Sequence, residues 1–475
     1  MYPKIIQGGM GVAVSNWRLA RTVASRGQMG VISGTGLDTV VARRLQLGDE
    51  GGHLRMAFDA FPFQEMANRV WERYFRPDGK ADEAAFKSKP MPMMKPTIAA
   101  NELTVVANFV EVFLAKHGHE GWVGINLLEK IQLPTLPSLF GAMLAGVNVV
   151  LMGAGIPRQI PAVLDSLANL EPTRLAIEVA GAEQGELFFN EFVPRDFCPP
   201  SFKPIPRPKF FAIVASTALA TNLVKKCQPP VDGLVIEYPT AGGHNAPPRG
   251  AMMLDENNEP IYGEKDVPDL EAIAKLGVPF WLAGSFAEPS KVEEAVAHGA
   301  QGVQVGTAFA FCNESGIDAD LKRQVVKSSL DGTVSVFTDA KASPTGFPFK
   351  VLNLEGTLSQ ANVYDQRTRI CDMGYLRTAY KMDDGRIGYR CASEPVEDYV
   401  KKGGAIEDTV GRKCLCNALM ATAGYGQVRH GVAEMPILTT GNDVVNLHRF
   451  VPAGADNYSA LDVIDVLLGT RVVRT

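Results

Sequence analysis

The chain has 475 residues, with 46% apolar and 21% charged side chains and a formal net charge of −5. That length holds two or three average domains, or one barrel with additions. The slightly acidic balance argues against nucleic acid or an anionic membrane surface as a partner, and no apolar run reaches the ~20 residues that span a bilayer.

The N-terminal stretch MYPKIIQGGMG has no basic-then-apolar leader pattern, so a cytoplasmic location is expected. Lys4–Met10 reads as a short apolar strand ending in glycines, followed by a helix over Ser15–Ser25 with Ser15 or Asn16 as its cap. Gly30–Ser33 is a second strand, ending in Gly34-Thr35-Gly36. A long interruption follows at about 51–100, with a helix over Ala60–Tyr74 and a Pro/Met-rich end; it reads as an insertion on a rim, a lid or a subunit contact. Regularity resumes with a helix Thr104–Lys116, a strand Trp122–Asn126, a helix Pro137–Ala145, a strand Asn148–Met152 and a helix Pro157–Ala168. A second interruption, about 171–208, contains an added hairpin. Then come strand Lys209–Ser216, helix Thr217–Lys226, strand Gly233–Tyr238, helix Leu270–Leu276, strand Pro279–Ser285, helix Glu288–His298 and strand Gly302–Thr307.

These runs amount to eight β/α units, with strands around residues 5, 31, 124, 150, 212, 236, 282 and 304. The expected fold is an α/β protein built on a (β/α)8 TIM barrel over residues 1–350, with rim insertions and a C-terminal extension over 351–475. A doubly wound open sheet is the alternative, but Gly8-Gly9-Met10-Gly11 does not have the Gly-x-Gly-x-x-Gly spacing common after its first strand.

A barrel binds its ligand at the C-terminal strand ends. The sixth strand runs into Gly242-Gly243-His244, where two glycines let the backbone approach a flat ligand and an imidazole can exchange a proton near neutral pH. The plain alternative is a turn with a surface histidine. Ala283-Gly284-Ser285 and Gly306-Thr307 end the seventh and eighth strands, where barrels frequently hold a phosphate.

Ile6-Gln-Gly-Gly-Met10, Gly124-Ile-Asn126, Ala241-Gly-Gly-His244, Leu282-Ala-Gly284 and Val305-Gly-Thr-Ala-Phe309, in this order, resemble the nitronate monooxygenase (2-nitropropane dioxygenase-like) family. Its relatives include FMN-dependent enoyl-acyl-carrier-protein reductases. The resemblance covers about residues 1–350 and implies an FMN-binding barrel. It implies that Gly9 and Met10 face the isoalloxazine, that Asn126 hydrogen-bonds it, and that Gly242 and Gly243 pack near it. Ala283, Gly284, Ser285, Gly306 and Thr307 would hold the FMN phosphate, and His244 is the active-site histidine. Ser343-Pro-Thr-Gly346 resembles a loop that closes over the site. The loop departs from the family at Tyr238-Pro-Thr240 and at Asn245–Arg249. Arg249 is read either as a partner for a carboxylate or nitronate substrate or as a solvated loop arginine.

Residues beyond 350 lie outside the resemblance. Cys371, Cys391, Cys414 and Cys416 are read two ways, as ligands for zinc or an iron–sulfur cluster or as buried reduced thiols. Helices are expected over Cys414–Gly424 and Asp462–Gly469.

The leading expectation is an FMN-dependent oxidoreductase that oxidises alkyl nitronates or related carbon acids with O2. One alternative is an NAD(P)H-dependent reductase of enoyl thioesters, for which acyl carrier protein would be the partner. Another is a non-catalytic subunit whose cysteine region binds a partner or a metal. The expected partner in the leading case is a small molecule, and a homodimer fits a barrel with rim insertions.

Overall fold

The computed structural model describes residues 2–470. Its centre is a sheet of eight parallel strands, here β1 (Ile5–Gln7), β2 (Gly30–Ser33), β3 (Val123–Leu128), β4 (Val149–Gly153), β5 (Lys209–Val214), β6 (Gly233–Glu237), β7 (Phe280–Ala283) and β8 (Gly302–Val305). The order round the sheet is β1-β8-β7-β6-β5-β4-β3-β2. The last pair closes through a parallel bridge between Ile6 and Met29, with Gln7 N donating to Met29 O at 2.9 Å and Met29 N donating to Ile5 O at 3.0 Å. The expected TIM barrel is therefore present, strand for strand.

Alternation along each strand sorts the side chains. Ile6, Val31, Leu151, Phe211, Val235 and Trp281 fill the barrel interior, and Phe211 stacks on Trp281 with ring centroids 4.9 Å apart. Ile5, Ile32, Ile125, Val150, Leu234, Leu282 and Val303 face outward into a second core beneath the helices. Trp281 Nε1 donates to Pro3 O at 3.0 Å and closes the N-terminal end.

Several helices begin where the cap chemistry dictates. Trp17–Ser25 is capped by Asn16, whose side chain accepts from Leu19 N. Thr217–Lys226 is capped by Ser216. The helix expected over Ala60–Tyr74 is present from Gln64 to Tyr74, and a separate helix, His53–Ala60, ends before it, because Pro62 falls where a continuous helix would need its N–H. A helix over Leu37–Gln46, absent from the sequence reading, follows β2.

Both insertions pack onto the C-terminal region. In the first, Phe86 N donates to Gln427 Oε1 at 2.7 Å and Met94 N donates to Tyr389 Oη at 2.8 Å. In the second, the expected hairpin forms from Thr173–Ile177 and Phe188–Phe192, and Val179–Ala180 then adds a parallel strand beside Thr378–Lys381. The division expected at residue 350 falls inside a strand, Phe349–Asn353, which pairs antiparallel with Ser335–Asp339. The final helix, Ala460–Leu467, lies against Trp17–Ser25, with Arg26 and Asp465 3.1 Å apart. One helix among the described residues, Ile98–Lys116, is long and apolar enough to cross a membrane by length and composition; it is mostly buried here, against Thr135–Leu144 and other helices.

Candidate active site at the barrel mouth

Extending the inward alternation by one step gives the topmost interior layer: Gly8, Ser33, Asn126, Gly153, Ile213, Glu237, Ala283 and Gln304, one residue from each strand. All eight line a cavity of about 230 Å3 at the C-terminal end of the barrel. The loops above them complete its lower half. Gly9, Met10, Gly242, Gly243, His244, Gly284, Ser285, Gly306 and Thr307 line it too, so the structure brings together every cofactor-binding candidate and His244. Arg249 is not part of this wall: it is exposed, and its backbone N–H donates to Asp266 Oδ1 at 2.8 Å.

The first loop is held rigidly. Ser15 Oγ donates to Gly8 O at 2.8 Å and accepts from Met10 N at 2.9 Å, and Asn126 Nδ2 donates to Gly9 O at 2.9 Å. A Cβ on Gly9 would stand 2.3 Å from Asn126 Cβ, so no side chain fits between them. Across the mouth, Gly284 (φ +101°) and Ser285 (φ +56°) are both left-handed. Successive unusual backbone turns of this kind expose N–H groups that suit an anion.

His244 sits above this floor. Its Nε2 is 2.7 Å from Ser343 Oγ, and Ser343 Oγ is 2.8 Å from Thr345 Oγ1. The Ser343–Gly346 loop therefore does reach the site. It is held from behind by Arg412, which donates to Ser343 O at 2.6 Å. The ring of His244 meets Phe349 edge-on at 4.9 Å, and Lys350 N donates to Gly243 O at 2.9 Å. Burial pushes the imidazole down to about 4, so His244 is neutral at neutral pH. Burial also pushes the Glu237 carboxyl up to about 7.

The upper wall was missed in the sequence. Met373, Tyr375, Leu376, Leu415, Cys416, Leu419 and Met420 close one side, and Thr439, Thr440, Gly441 and Asp443 another. Thr439 Oγ1 accepts from Gly243 N at 2.9 Å, and Thr307 Oγ1 accepts from Gly441 N at 3.0 Å. A Cβ on Gly242 would meet Gly441 N at 2.7 Å, which shows how closely the two segments touch. Tyr375 is anchored by Asp38 and, at 2.7 Å, by Thr39 Oγ1. Asp38 in turn pairs with Lys89 at 2.7 Å. The signal that could have found this wall is the alternation of small polar residues and glycine in Thr439-Thr440-Gly441-Asn442, next to the apolar Leu415–Met420 run.

The four C-terminal cysteines also converge. Cys371, Cys391, Cys414 and Cys416 line a cavity of about 10 Å3 behind this wall. Among the described residues, however, no group of three or more Cys, His, Asp or Glu side chains is placed to hold a metal ion. The thiols are satisfied otherwise. Cys391 Sγ is 3.2 Å from Ser393 Oγ, while Cys414 Sγ donates to Ile370 O at 3.8 Å and accepts from Asn417 Nδ2 at 3.5 Å. Burial pushes the thiols of Cys414 and Cys416 up, and a hydrogen bond with Cys391 does so for Cys371. Among the described residues these cysteines form no disulfide, and neither zinc nor an iron–sulfur cluster is shown for them.

A flavin fits the lower half of the large cavity on its own evidence. Asn126 Oδ1, Gln304 Oε1 and Thr440 Oγ1 are buried without a hydrogen-bond partner. Buried polar atoms left open in this way ask for a ligand that completes them. Gly9, Gly242 and Gly284 line the cavity and pack so tightly on Asn126, Gly441 and Thr240 that none has room for a Cβ.

Residues 191–346, which contain β5 to β8, His244 and Ser343, match the model of the nitronate monooxygenase family. A curated (3aS,4S,5R,7aS)-5-hydroxy-7a-methyl-1-oxo-octahydro-1H-indene-4-carboxyl-CoA dehydrogenase of Mycobacterium tuberculosis (strain ATCC 25618 / H37Rv) is 27% identical over 143 residues, 30% of this chain and 36% of that protein. A probable nitronate monooxygenase of Bacillus subtilis (strain 168) is 31% identical over 99 residues, 21% of this chain and 27% of that one. The chain thus spans about a third of the length of the curated relatives it matches. Among solved structures, FabK from Thermotoga maritima aligns with 99% of this chain and 92% of its own, at 16% identity and a TM-score of 0.48. The similarity to the nitronate monooxygenase family thus lies over residues 191–346, the half of the barrel that carries His244.

Proposed function

We propose that the chain is an FMN-dependent oxidoreductase that oxidises alkyl nitronates or related carbon acids with O2. The observation that carries this reading is the meeting of His244, the glycine-lined loops and the unpartnered Asn126, Gln304 and Thr440 oxygens on one cavity. Gly9, Met10, Asn126, Gly242 and Gly243 would hold the ring. Ala283, Gly284, Ser285, Gly306 and Thr307 would hold the phosphate. Bound FMN supplies the electron-accepting chemistry, and the protein supplies position and electrostatics.

His244 serves the substrate. Its Nε2 is engaged by Ser343 Oγ, and its Nδ1 has no partner among the described residues. If Ser343 donates to Nε2, Nδ1 carries the proton and holds an anionic substrate. If Ser343 accepts from Nε2–H, the Nδ1 lone pair takes an α-proton from a neutral carbon acid. Because the imidazole is neutral at neutral pH, both roles are open to it. The wall of Met373, Leu376, Leu415, Leu419 and Met420 excludes water and suits an apolar substituent.

That same apolar wall supports a second reading, an NAD(P)H-dependent reductase of enoyl thioesters, with acyl carrier protein or a comparable carrier as partner. Purified protein mixed with FMN is expected to take on the visible flavin spectrum. Oxygen uptake on adding a nitronate supports the first reading. Anaerobic bleaching of the flavin by NADPH or NADH, without oxygen uptake with nitronates, supports the second. A protein that binds no flavin overturns both.

A further inference from the structure

Four polar side chains stand in the top interior layer of the barrel: Ser33 from β2, whose Oγ donates to Gly11 O at 2.5 Å, Asn126 from β3, Glu237 from β6 and Gln304 from β8. Asn126 commits Nδ2 to Gly9 O and leaves Oδ1 open, and Gln304 leaves Oε1 open. Glu237 has no hydrogen-bond or ion-pair partner among the described residues. It is paired in the sheet with Ala283 and follows the interior residue Val235, so its side chain enters the barrel mouth rather than the helical layer.

The other titratable groups on this cavity come from every surrounding element. They are His244 from the loop after β6, Asp443 from the turn Asn442–Arg449, and Tyr375 and Cys416 from the C-terminal wall. None of them enters the balance at Glu237, where burial is the one cause acting, and it lifts the carboxyl to about 7. His244 is already neutral, and burial keeps Tyr375 and Cys416 protonated. Among the described residues no cation compensates Glu237.

An unpaired carboxylate in such a place costs several kcal/mol, whereas the protonated acid costs much less and becomes a hydrogen-bond donor. The same cavity then carries a carboxylic O–H and the open oxygens of Asn126 and Gln304. A heteroaromatic ring bearing both an N–H and carbonyl oxygens offers partners to donor and acceptors of this kind.

We propose that Glu237 meets a bound ring as the neutral acid and donates a hydrogen bond to it, so that ring binding is linked to the protonation of this one side chain. The inference rests on the flavin reading above and adds to it a proton that the family resemblance does not supply.

The test uses riboflavin beside FMN, because riboflavin lacks the phosphate and its own ionisation near pH ~6. Affinity is read from flavin fluorescence quenching by flavin-free protein between pH 6 and 8.5. The wild type is expected to lose riboflavin affinity as pH rises past Glu237's titration, approaching tenfold per pH unit. Glu237→Gln is expected to hold its affinity within about twofold over the range. Infrared spectra of flavin-free wild type should show a protonated-carboxyl band at pH 6 that fades by pH 8.5 and is missing in Glu237→Gln. A flat wild-type profile, a slope that survives in Glu237→Gln, or no such band overturns the inference while leaving flavin binding intact. Failure of both flavins to bind at any pH sinks the flavin reading and this inference together. The wild-type profile and band decide the matter even if the variant does not fold.

Discussion

His244 Nε2 and Ser343 Oγ stand 2.7 Å apart although 99 positions separate them in the chain. The contact joins the loop after β6 to the loop between the strands Ser335–Asp339 and Phe349–Asn353, and it determines which imidazole nitrogen is left for the substrate. Replacing His244 with Ala is expected to lower turnover by roughly 10²–10⁴-fold, the usual worth of a positioned acid or base. Flavin absorbance should be retained, since the expected ring contacts come from the backbone and Asn126. Ser343→Ala should lower turnover less, by about tenfold, with its main effect on kcat. Steady-state kinetics with the flavin-loaded variants checks both.

The two buried ionisable groups at the mouth tilt stability in opposite directions with pH. His244 falls from an ordinary 6.5 to about 4, so between those values the unfolded chain binds the proton more readily. Stability should therefore fall as pH drops through that window, by about 3 kcal/mol for the whole shift. Glu237 rises from 4.5 to about 7, so its folded form holds the proton more tightly. Its contribution is complete below pH 4.5 and lost as pH climbs to 7, again by about 3 kcal/mol. Urea melts of the flavin-free protein should show Glu237→Gln more stable than wild type at pH 8 and no more stable at pH 4.5. His244→Gln should remove most of the acid-side loss.

Arg249 offers a negative control. It is exposed, it lies outside the cavity lining, and only its backbone is bonded, to Asp266. Arg249→Ala should leave kcat/KM within about twofold of wild type, because a solvated loop side chain away from the site contributes little. A tenfold rise in KM would place the substrate along the 245–250 loop instead.

The close approach of Gly242 to Gly441 predicts a steric effect with a matched control. A Cβ at 242 would meet the backbone N of Gly441 at 2.7 Å, and backbone cannot step aside cheaply. Gly242→Ala should cost about 1–3 kcal/mol and weaken flavin binding at least tenfold. Gly250 (φ +102°) has open space around its Cβ position, so Gly250→Ala should show only the strain of a left-handed alanine, about 1–2 kcal/mol, with normal flavin affinity. Thermal melts and flavin titrations separate the two.

The barrel was legible because its strands are short, apolar and punctuated by glycine, and because each β/α unit is a local affair. The residues at the strand ends accordingly line the lower half of the cavity. What was not legible arose from distance or from burial of charge. The helix Leu37–Gln46 hides Asp38 and Arg43 inside the protein, so its apolar stripe is interrupted by residues that normally mark a surface. The pairing of Asp38 with Lys89 and Tyr375 that makes this tolerable joins three segments far apart in sequence. Thr439–Asp443 reads as an ordinary turn until its contacts with Thr240, Gly243 and Thr307 are seen. The cysteines come together round one small cavity, where Cys391 meets a hydroxyl and Cys414 a carbonyl and an amide.

The upper wall of the cavity comes from residues 373–443, beyond the 191–346 stretch that matches the family. The floor and the ceiling of the mouth are thus encoded in separate parts of the chain and meet at a few contacts such as Tyr375 with Asp38 and Gly441 with Thr307. Selectivity and redox chemistry can consequently drift apart: changes at Met373, Leu376, Leu415 or Leu419 would reshape what enters without disturbing the glycine loops below. Grafting alternative 415–420 helices onto this scaffold is a direct route to altering its preference while its lower loops stay as they are.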